Sequence, residues 1–157
     1  MPLVRILVDG YSLLHRWPEL APGRPRHSAA AREALIARLR QYRDASHTPI
    51  SIIFDGQGAP PGTARPVSTP DLEILFSSAG RTADDLIERA AVRLKPYGDV
   101  LVVTDDLAEQ DTVSAFGGLV SSCRIFIAQV EDLLRESGED LQRWNRRERE
   151  RFRSGQR

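Results

Sequence analysis

The sequence predicts a doubly wound α/β fold around a mostly parallel central sheet, on three grounds. Four short runs rich in Ile, Val, Leu and Phe recur along the 157 residues, stretches of helical periodicity separate them, and three of the runs end on aspartate. Continuous apolar runs of this length suit strands buried on both faces, which require helical crossovers between them. Strand and helix in alternation place helices on both sides of the sheet, a Rossmann-like three-layer sandwich with right-handed connections.

The first strand is predicted over residues 3–9 (LVRILVD). A helix follows over 28–45, where Ala31, Leu35, Leu39 and Tyr42 recur at helical spacing, Ser28 is placed to cap the N-terminus and arginines occupy the other faces. Residues 49–55 (PISIIFD) form the second strand. The next segment, 56–71, holds three glycines and four prolines and reads as a loop long enough to suspect function. The third strand is 72–77 (LEILFS), and the helix 82–98 opens on Thr82 with Asp84 and Asp85 in its first turn and closes on Lys95, Pro96 and Gly98. The fourth strand spans 99–106 (DVLVVTDD). Beyond it come a short helix near 107–115, a turn at Gly117-Gly118 and an amphipathic stretch from about 122 to 136. The length fits one domain, predicted over 1–137, with a basic C-terminal helix or tail over 138–157.

Composition narrows the class. No run approaches the ~18 consecutive apolar residues of a membrane helix, and the first residues lack the order of a secretory leader. The single cysteine, Cys123, excludes an internal disulfide and a cysteine-based zinc cluster. A cytoplasmic protein that does not enter a membrane is expected. The formal net charge is zero, yet residues 1–50 carry 8 basic and 4 acidic side chains, residues 51–142 carry 7 and 16, and residues 143–157 carry 7 and 2. Basic ends around an acidic middle suit nucleic acid held beside cations, although a solvated surface has the same signature.

The chemistry lies at the strand ends. Asp9, Asp55 and the doublet Asp105-Asp106 each follow a predicted strand, and open α/β sheets bind ligands just beyond the carboxyl ends of their strands. Carboxylates crowded on one edge repel unless a cation neutralises them. On the helix from Thr82, the buried stripe is Leu86, Ile87, Ala90, Ala91 and Leu94. Asp84 projects from its flank with Glu88 one turn behind, while Asp85 points into water. Each acid has a structural alternative, since aspartate starts turns and Asp106 with Glu109 spells a capping box; gathered on one edge, they favour a site. Oxygen ligands without cysteine or nearby histidine suit Mg²⁺ or Mn²⁺, and the expected chemistry is phosphodiester hydrolysis.

The stretches ILVDGYSLL, IIFDG, ILFSSAGRTADDLIERA and VVTDDLAEQDTV, in this order and spacing, resemble the YacP-like NYN domain proteins, bacterial relatives of the PIN-domain nucleases. The most specific part is Thr82-Ala83-Asp84 with Ile87-Glu88, followed by Thr104, Asp106, Glu109 and Gln110. The resemblance covers residue 4 to about 136. It implies a PIN-like α/β sandwich, metal-dependent endoribonuclease activity, and metal-binding acids at Asp9, Asp84 and Asp106, with Asp55 and Glu88 nearby. Serine at position 12 replaces the family's usual asparagine; Ser12 could orient Asp9 or a water with less reach. Position 105 is aspartate where serine is expected, and of the doublet Asp106 is favoured to face the metal.

Around this centre, Tyr11 is placed to stack on a base or to sit partly buried, and Arg16, Arg24, Arg26 and Arg65 to bind phosphate. His15, His27 and His47 lack metal-ligand spacing and read as surface or turn residues. Trp144 and Phe152 among the tail arginines fit either an RNA track or a helix docked back on the domain. Two functions follow: a Mg²⁺- or Mn²⁺-dependent endoribonuclease acting on RNA, with ribosome-associated mRNA as a candidate substrate, or a non-catalytic RNA- or ribosome-binding module, for which Ser12 is the motive. An aspartate-based phosphatase or a receiver domain ranks lower. The former wants a second aspartate where Tyr11 stands, the latter a lysine near the last strand end, and Lys95 precedes the fourth strand.

Overall fold

The computed structural model describes residues 3–56, 68–78 and 80–155. Five parallel strands form one sheet in the order β3-β2-β1-β4-β5. These are β1 Leu3–Asp9, β2 Ile50–Phe54, β3 Leu72–Phe76, β4 Asp99–Val103 and β5 Leu119–Ser121. The helices are α1 Gly10–Arg16, α2 Ala29–Ser46, α3 Ala83–Leu94, α4 Leu107–Ala115 and α5 Cys123–Gly155, with short 3-10 turns at Pro18–Leu20 and Lys95–Tyr97. The predicted α/β sandwich with a parallel sheet is therefore the observed fold.

Alternation along the strands builds two cores. Ile6 and Val8 of β1, with Ile50, Ile52 and Phe54 of β2, face a layer that includes Leu13, Leu35, Leu39 and Phe126 from α1, α2 and α5. Leu7, Ile53, Val100 and Val102 face the opposite way, onto Ile87 and Ala91 of α3 and Val113 of α4. Both faces of the sheet are dry, which explains why the strands read as unbroken apolar runs. Strand order turns at β1: β2 and β3 extend to one side, β4 and β5 to the other, with Asp9 in register with Ile53 and Val8 with Val103. The carboxyl ends of β1 and β4 thus flank the switch point where such sheets hold ligands.

Several expectations change. Helix α1 starts directly after β1 and was not anticipated; its seven residues are too few to show a period. Strand β5 has three residues and is recognisable only by pairing Leu101 with Leu119 and Val103 with Ser121. The predicted fourth strand, 99–106, stops at Val103, because Thr104 to Asp106 turn into α4. Arginines of α2 were expected on exposed faces, yet Arg32 is buried, its Nη1 donating to the His27 carbonyl at 2.7 Å and to the Tyr11 hydroxyl at 3.3 Å. Helix α5 runs unbroken through residues 138–155, and only Cys123, Phe126 and Val130 of it are buried. Trp144 is 59% and Phe152 71% exposed, so the tail is not docked on the domain through Trp144. Much of the predicted loop, residues 57–67, lies outside the described residues. No helix among the described residues is long and apolar enough to cross a membrane.

The Asp-Gly pairs have a steric cause. A Cβ on Gly10 would stand 2.3 Å from Phe54 Cε1, and one on Gly56 would stand 1.8 Å from the Ser77 carbonyl oxygen. Glycine lets α1 begin against β2, and so fixes where Asp9 points. Gly10→Ala is expected to destabilise the protein by about 1–3 kcal/mol through overpacking, read as a lower denaturant midpoint at unchanged slope. Gly138→Ala, in a helical position where a Cβ meets nothing within 4 Å, should stabilise by up to about 1 kcal/mol in the same measurement.

Candidate active site

The end of β1 delivers the first acid. Asp9 caps α1, its Oδ1 accepting from the Ser12 amide at 3.3 Å. Burial holds the Asp9 carboxyl above the ordinary aspartate range; Ser12 pulls it back through its amide and hydroxyl, and the charges of Asp84 and Asp55 push it further up. Serine at position 12 therefore does hold Asp9.

The end of β4 sorts its doublet. Asp105 accepts from Arg16 Nε at 2.9 Å on Oδ2 and from the Cys123 amide at 2.9 Å on Oδ1, which ties α1 to the start of α5. Asp106 caps α4 through Oδ1, accepting from the amides of Ala108 at 2.9 Å and Glu109 at 3.4 Å. A carboxylate has two oxygens, so this cap leaves Oδ2 for another partner. Buried Thr104 sits beneath, donating from Oγ1 to Glu109 Oε2 at 3.0 Å and accepting there from the Asp106 amide at 3.1 Å.

Across the crevice, Thr82 and Asp85 close a capping box at the start of α3, so Asp85 is spent on the backbone, while Asp84 approaches the first turn of α4. Oxygens of Asp84, Asp106 and Glu109 all lie within 4.8 Å of one another. Asp84 and Asp106 are two of the three acids expected to hold a metal. Glu109, which the sequence offers as a capping partner of Asp106 and as part of the family motif without a site role, is the third member, and Asp9, the third expected metal ligand, stands outside this set. Glu109 is 2% exposed and its Oε1 has no hydrogen-bond partner. Burial, contact with Asp84 and the charges of Asp84 and Asp9 raise its carboxyl to about 8, against a pull downward from Thr104. A buried oxygen without a donor, facing two further carboxylates, fits a hard divalent cation coordinated by oxygen. Burial and the nearby Asp105 push the Cys123 thiol up to about 12, which leaves it chemically quiet.

A cavity of about 380 Å³ opens beside this set: Asp84 lines it together with Asp9, while Asp106 and Glu109 are not on its lining. Its lining carries both signs of charge, Asp9, Asp55, Asp84 and Asp105 together with His15, Arg16, Arg26 and His27. Asp55 is joined to the sheet edge by Ser77, whose hydroxyl donates to it at 3.2 Å. Four expectations need correction or qualification. Tyr11 reaches the cavity but is 6% exposed, packed on His27 and Phe54 with ring centroids at 4.3 and 5.0 Å, so it is a wall rather than a free stacking platform. Glu88, half-buried on α3, is neither in the carboxylate set nor on the cavity lining among the described residues. His15 and His27 are exposed, His27 in a turn, as expected, and both also line the cavity. Arg65 lies outside the described residues. Glu109 was detectable in principle: it shares the buried face of α4 with Val113, one turn on. His15 follows Ser12 by three residues, the spacing that puts both on one face of α1.

The family model of the YacP-like NYN domain matches residues 6–155. The protein YacP of Bacillus subtilis (strain 168) is 28% identical over 131 residues, covering 83% of this chain and 76% of that one. The crystal structure of Rae1 (YacP) from Bacillus subtilis superposes with a TM-score of 0.79 at 26% identity, over 94% of this chain and 84% of that one. A tryptophan-to-leucine variant of it gives 0.77 at 25% identity, over 91% and 84%.

The Glu109 carboxyl predicts a pH signature. Unfolded it titrates near 4.5, folded near 8, so the folded state holds the extra proton between those values. Its stabilisation is complete below about pH 4.5 and is lost as pH rises toward 8, at up to about 1.4 kcal/mol per pH unit. Thermal unfolding without divalent metal should show melting temperature falling across this window. Glu109→Gln should flatten the fall, and added Mn²⁺ should restore the high-pH loss in the unmodified protein only.

Proposed function

The chain belongs to the YacP-like NYN domain family, PIN-like nuclease domains, and from that premise we propose a divalent-metal-dependent endoribonuclease that hydrolyses RNA phosphodiester bonds. The observation that carries the proposal is the buried Glu109 carboxylate, one oxygen without a partner, within 4.8 Å of oxygens of Asp84 and Asp106. Mg²⁺ or Mn²⁺ is the proposed ion, with Asp84, Asp106 and Glu109 as its holders and Asp9 beside them. When bound, such a cation supplies Lewis acidity toward a water and toward the phosphoryl oxygens.

The chain's own residues do the rest. Ser12 fixes Asp9, and Thr104 fixes Glu109, so neither carboxylate has to reorganise when a phosphate arrives. Asp55 adds negative charge on the cavity lining, where it would position a water. Arg26, with His15 and His27, lines the cavity along with the acids and receives the phosphates that those acids alone would repel. Arg16, held by its Nε on Asp105, keeps its remaining guanidinium donors for phosphate at the same cavity. Residues 1–137 would then form the nuclease unit. The basic second half of α5, with Trp144 and Phe152 exposed among arginines, would be a further contact for RNA in the cytoplasm, mRNA on the ribosome included.

Purified protein should cut single-stranded RNA with Mg²⁺ or Mn²⁺ and stop on chelation. Asp9→Asn and Asp84→Asn should each lower the rate by at least about 100-fold, beyond the usual loss from an indirect metal support, with circular dichroism unchanged. RNA retained without metal-stimulated cleavage would instead favour a non-catalytic RNA- or ribosome-binding module.

A further inference from the structure

The face that α5 lays on the domain continues past the domain. At helical rotation, Phe126, Val130 and Leu134, which pack in or against the core, share one stripe about 100° wide with Leu141, Trp144 and Phe152. The last three are exposed. Apolar side chains aligned on one helix face and left in water mark a surface for a partner. The charges beside the stripe change sign along the helix: residues 131–140 carry five acidic side chains and one arginine, residues 143–153 six arginines and two glutamates. On one flank the order is Glu136, Asp140, Arg147, Arg151, all exposed. Asp140 and Arg151 make exposed pairs within the helix, with Arg143 and Glu148, each at 3.5 Å. Pairs of that kind are weak and give way to a better partner.

We propose that a second copy of this chain packs antiparallel along this stripe, α5 against α5. Turned end for end about a point between Arg143 and Trp144, two copies place Asp140 opposite the partner's Arg147 and Glu136 opposite the partner's Arg151. The same rotation sets Leu141 against the partner's Trp144 and Leu134 against the partner's Phe152. One register therefore answers both the apolar and the ionic pairs, the self-complementarity that a two-fold contact requires. A parallel pair would instead set acid beside acid and arginine beside arginine, which is costly. RNA as the occupant would favour a face basic throughout, yet Glu136 and Asp140 flank the stripe and half-buried Glu148 lies within it. Arg143 and Arg146 point away from the stripe and stay open to RNA in the dimer. The contact spans about four helical turns, at the small end for a specific interface, so the dimer forms in a concentration-dependent equilibrium. It does not depend on the nuclease reading.

Sedimentation velocity of the full-length protein over a concentration series reads the equilibrium, and two charge-reversed variants test its register. Arg147→Glu with Arg151→Glu makes the flank wholly acidic; Glu136→Arg with Asp140→Arg makes it wholly basic. Each variant alone should self-associate at least about tenfold more weakly than the unmodified protein, with circular dichroism and melting temperature unchanged because all four positions are exposed. An equimolar mixture of the two should dimerise again, since every flank pair is then between opposite charges. A monomer at every concentration, self-association that neither variant weakens, or a mixture that stays monomeric would overturn the proposal. RNA titrated into the same samples separates the other occupant: an unmodified protein that stays monomeric, with RNA binding lost in Arg147→Glu with Arg151→Glu, gives the stripe to RNA.

Discussion

Three carboxylates held within 4.8 Å, one of them almost fully buried, set the terms for the rest of this molecule. Like charges at such separations repel by a few kcal/mol at the effective dielectric of a protein interior, so they stay together only if the scaffold pins each one. Asp106 is pinned by the first amides of α4 and Glu109 by Thr104, while Asp9 beside them is pinned by the first turn of α1. Helix N-termini favour negative charge, and two of these pins are helix caps. Capping and metal binding are therefore not rival accounts of Asp9 and Asp106: one oxygen can answer the backbone while the other faces the crevice.

Topology determines which acids can meet. With β1 central and the chain extending first toward β3 and later toward β5, the ends of β1 and β4 lie side by side and α3 starts across from them. Backbone sterics then refine the placement. Gly10 lets α1 start against Phe54, and Gly56 lets the chain pass under the Ser77 carbonyl, so both Asp-Gly pairs combine an acid with the one residue that fits behind it. The glycine in each pair is a packing requirement, and its effect is to aim the carboxylate.

Fold and site differ in how legible they are in the sequence. The strands and the long helices announce themselves because burial on two faces, or on one stripe, imposes a pattern many residues long. Short elements impose none, which is why α1 and β5 pass unseen although α1 supplies Ser12, His15 and Arg16 to the cavity. Asp84 could be located because α3 has a clear buried stripe to measure from. Glu109 was obscured by a local rule: three residues after a helix-capping aspartate, a glutamate looks like a capping partner, and only the tertiary contact with Thr104 and Asp84 shows otherwise. The cavity role of the histidines was obscured for the opposite reason, since metal-ligand spacing asks about neighbours in sequence, whereas His15 and His27 line one cavity from the two ends of the α1–α2 connection.

That connection gives the cavity its second sign of charge, and its position depends on a buried cation. Arg32 reaches from α2 to the His27 carbonyl and the Tyr11 hydroxyl, while its guanidinium lies 6.0 Å from the Phe76 ring. A planar fork of donors can hold two oxygens at once, which a lysine ammonium on a flexible stem does with far less geometric control. Desolvating that charge is expensive, and its hydrogen bonds fix the turn that carries Arg26 and His27 against the helix that carries Ser12 and His15. The acids are thus placed by strand ends and helix caps, Arg16 by its bond to Asp105, and the turn carrying Arg26 and His27 by one buried arginine. A phosphate backbone drawn into the cavity would meet donors and acids already in place, which is the condition under which electrostatics can act on a reaction instead of merely on binding.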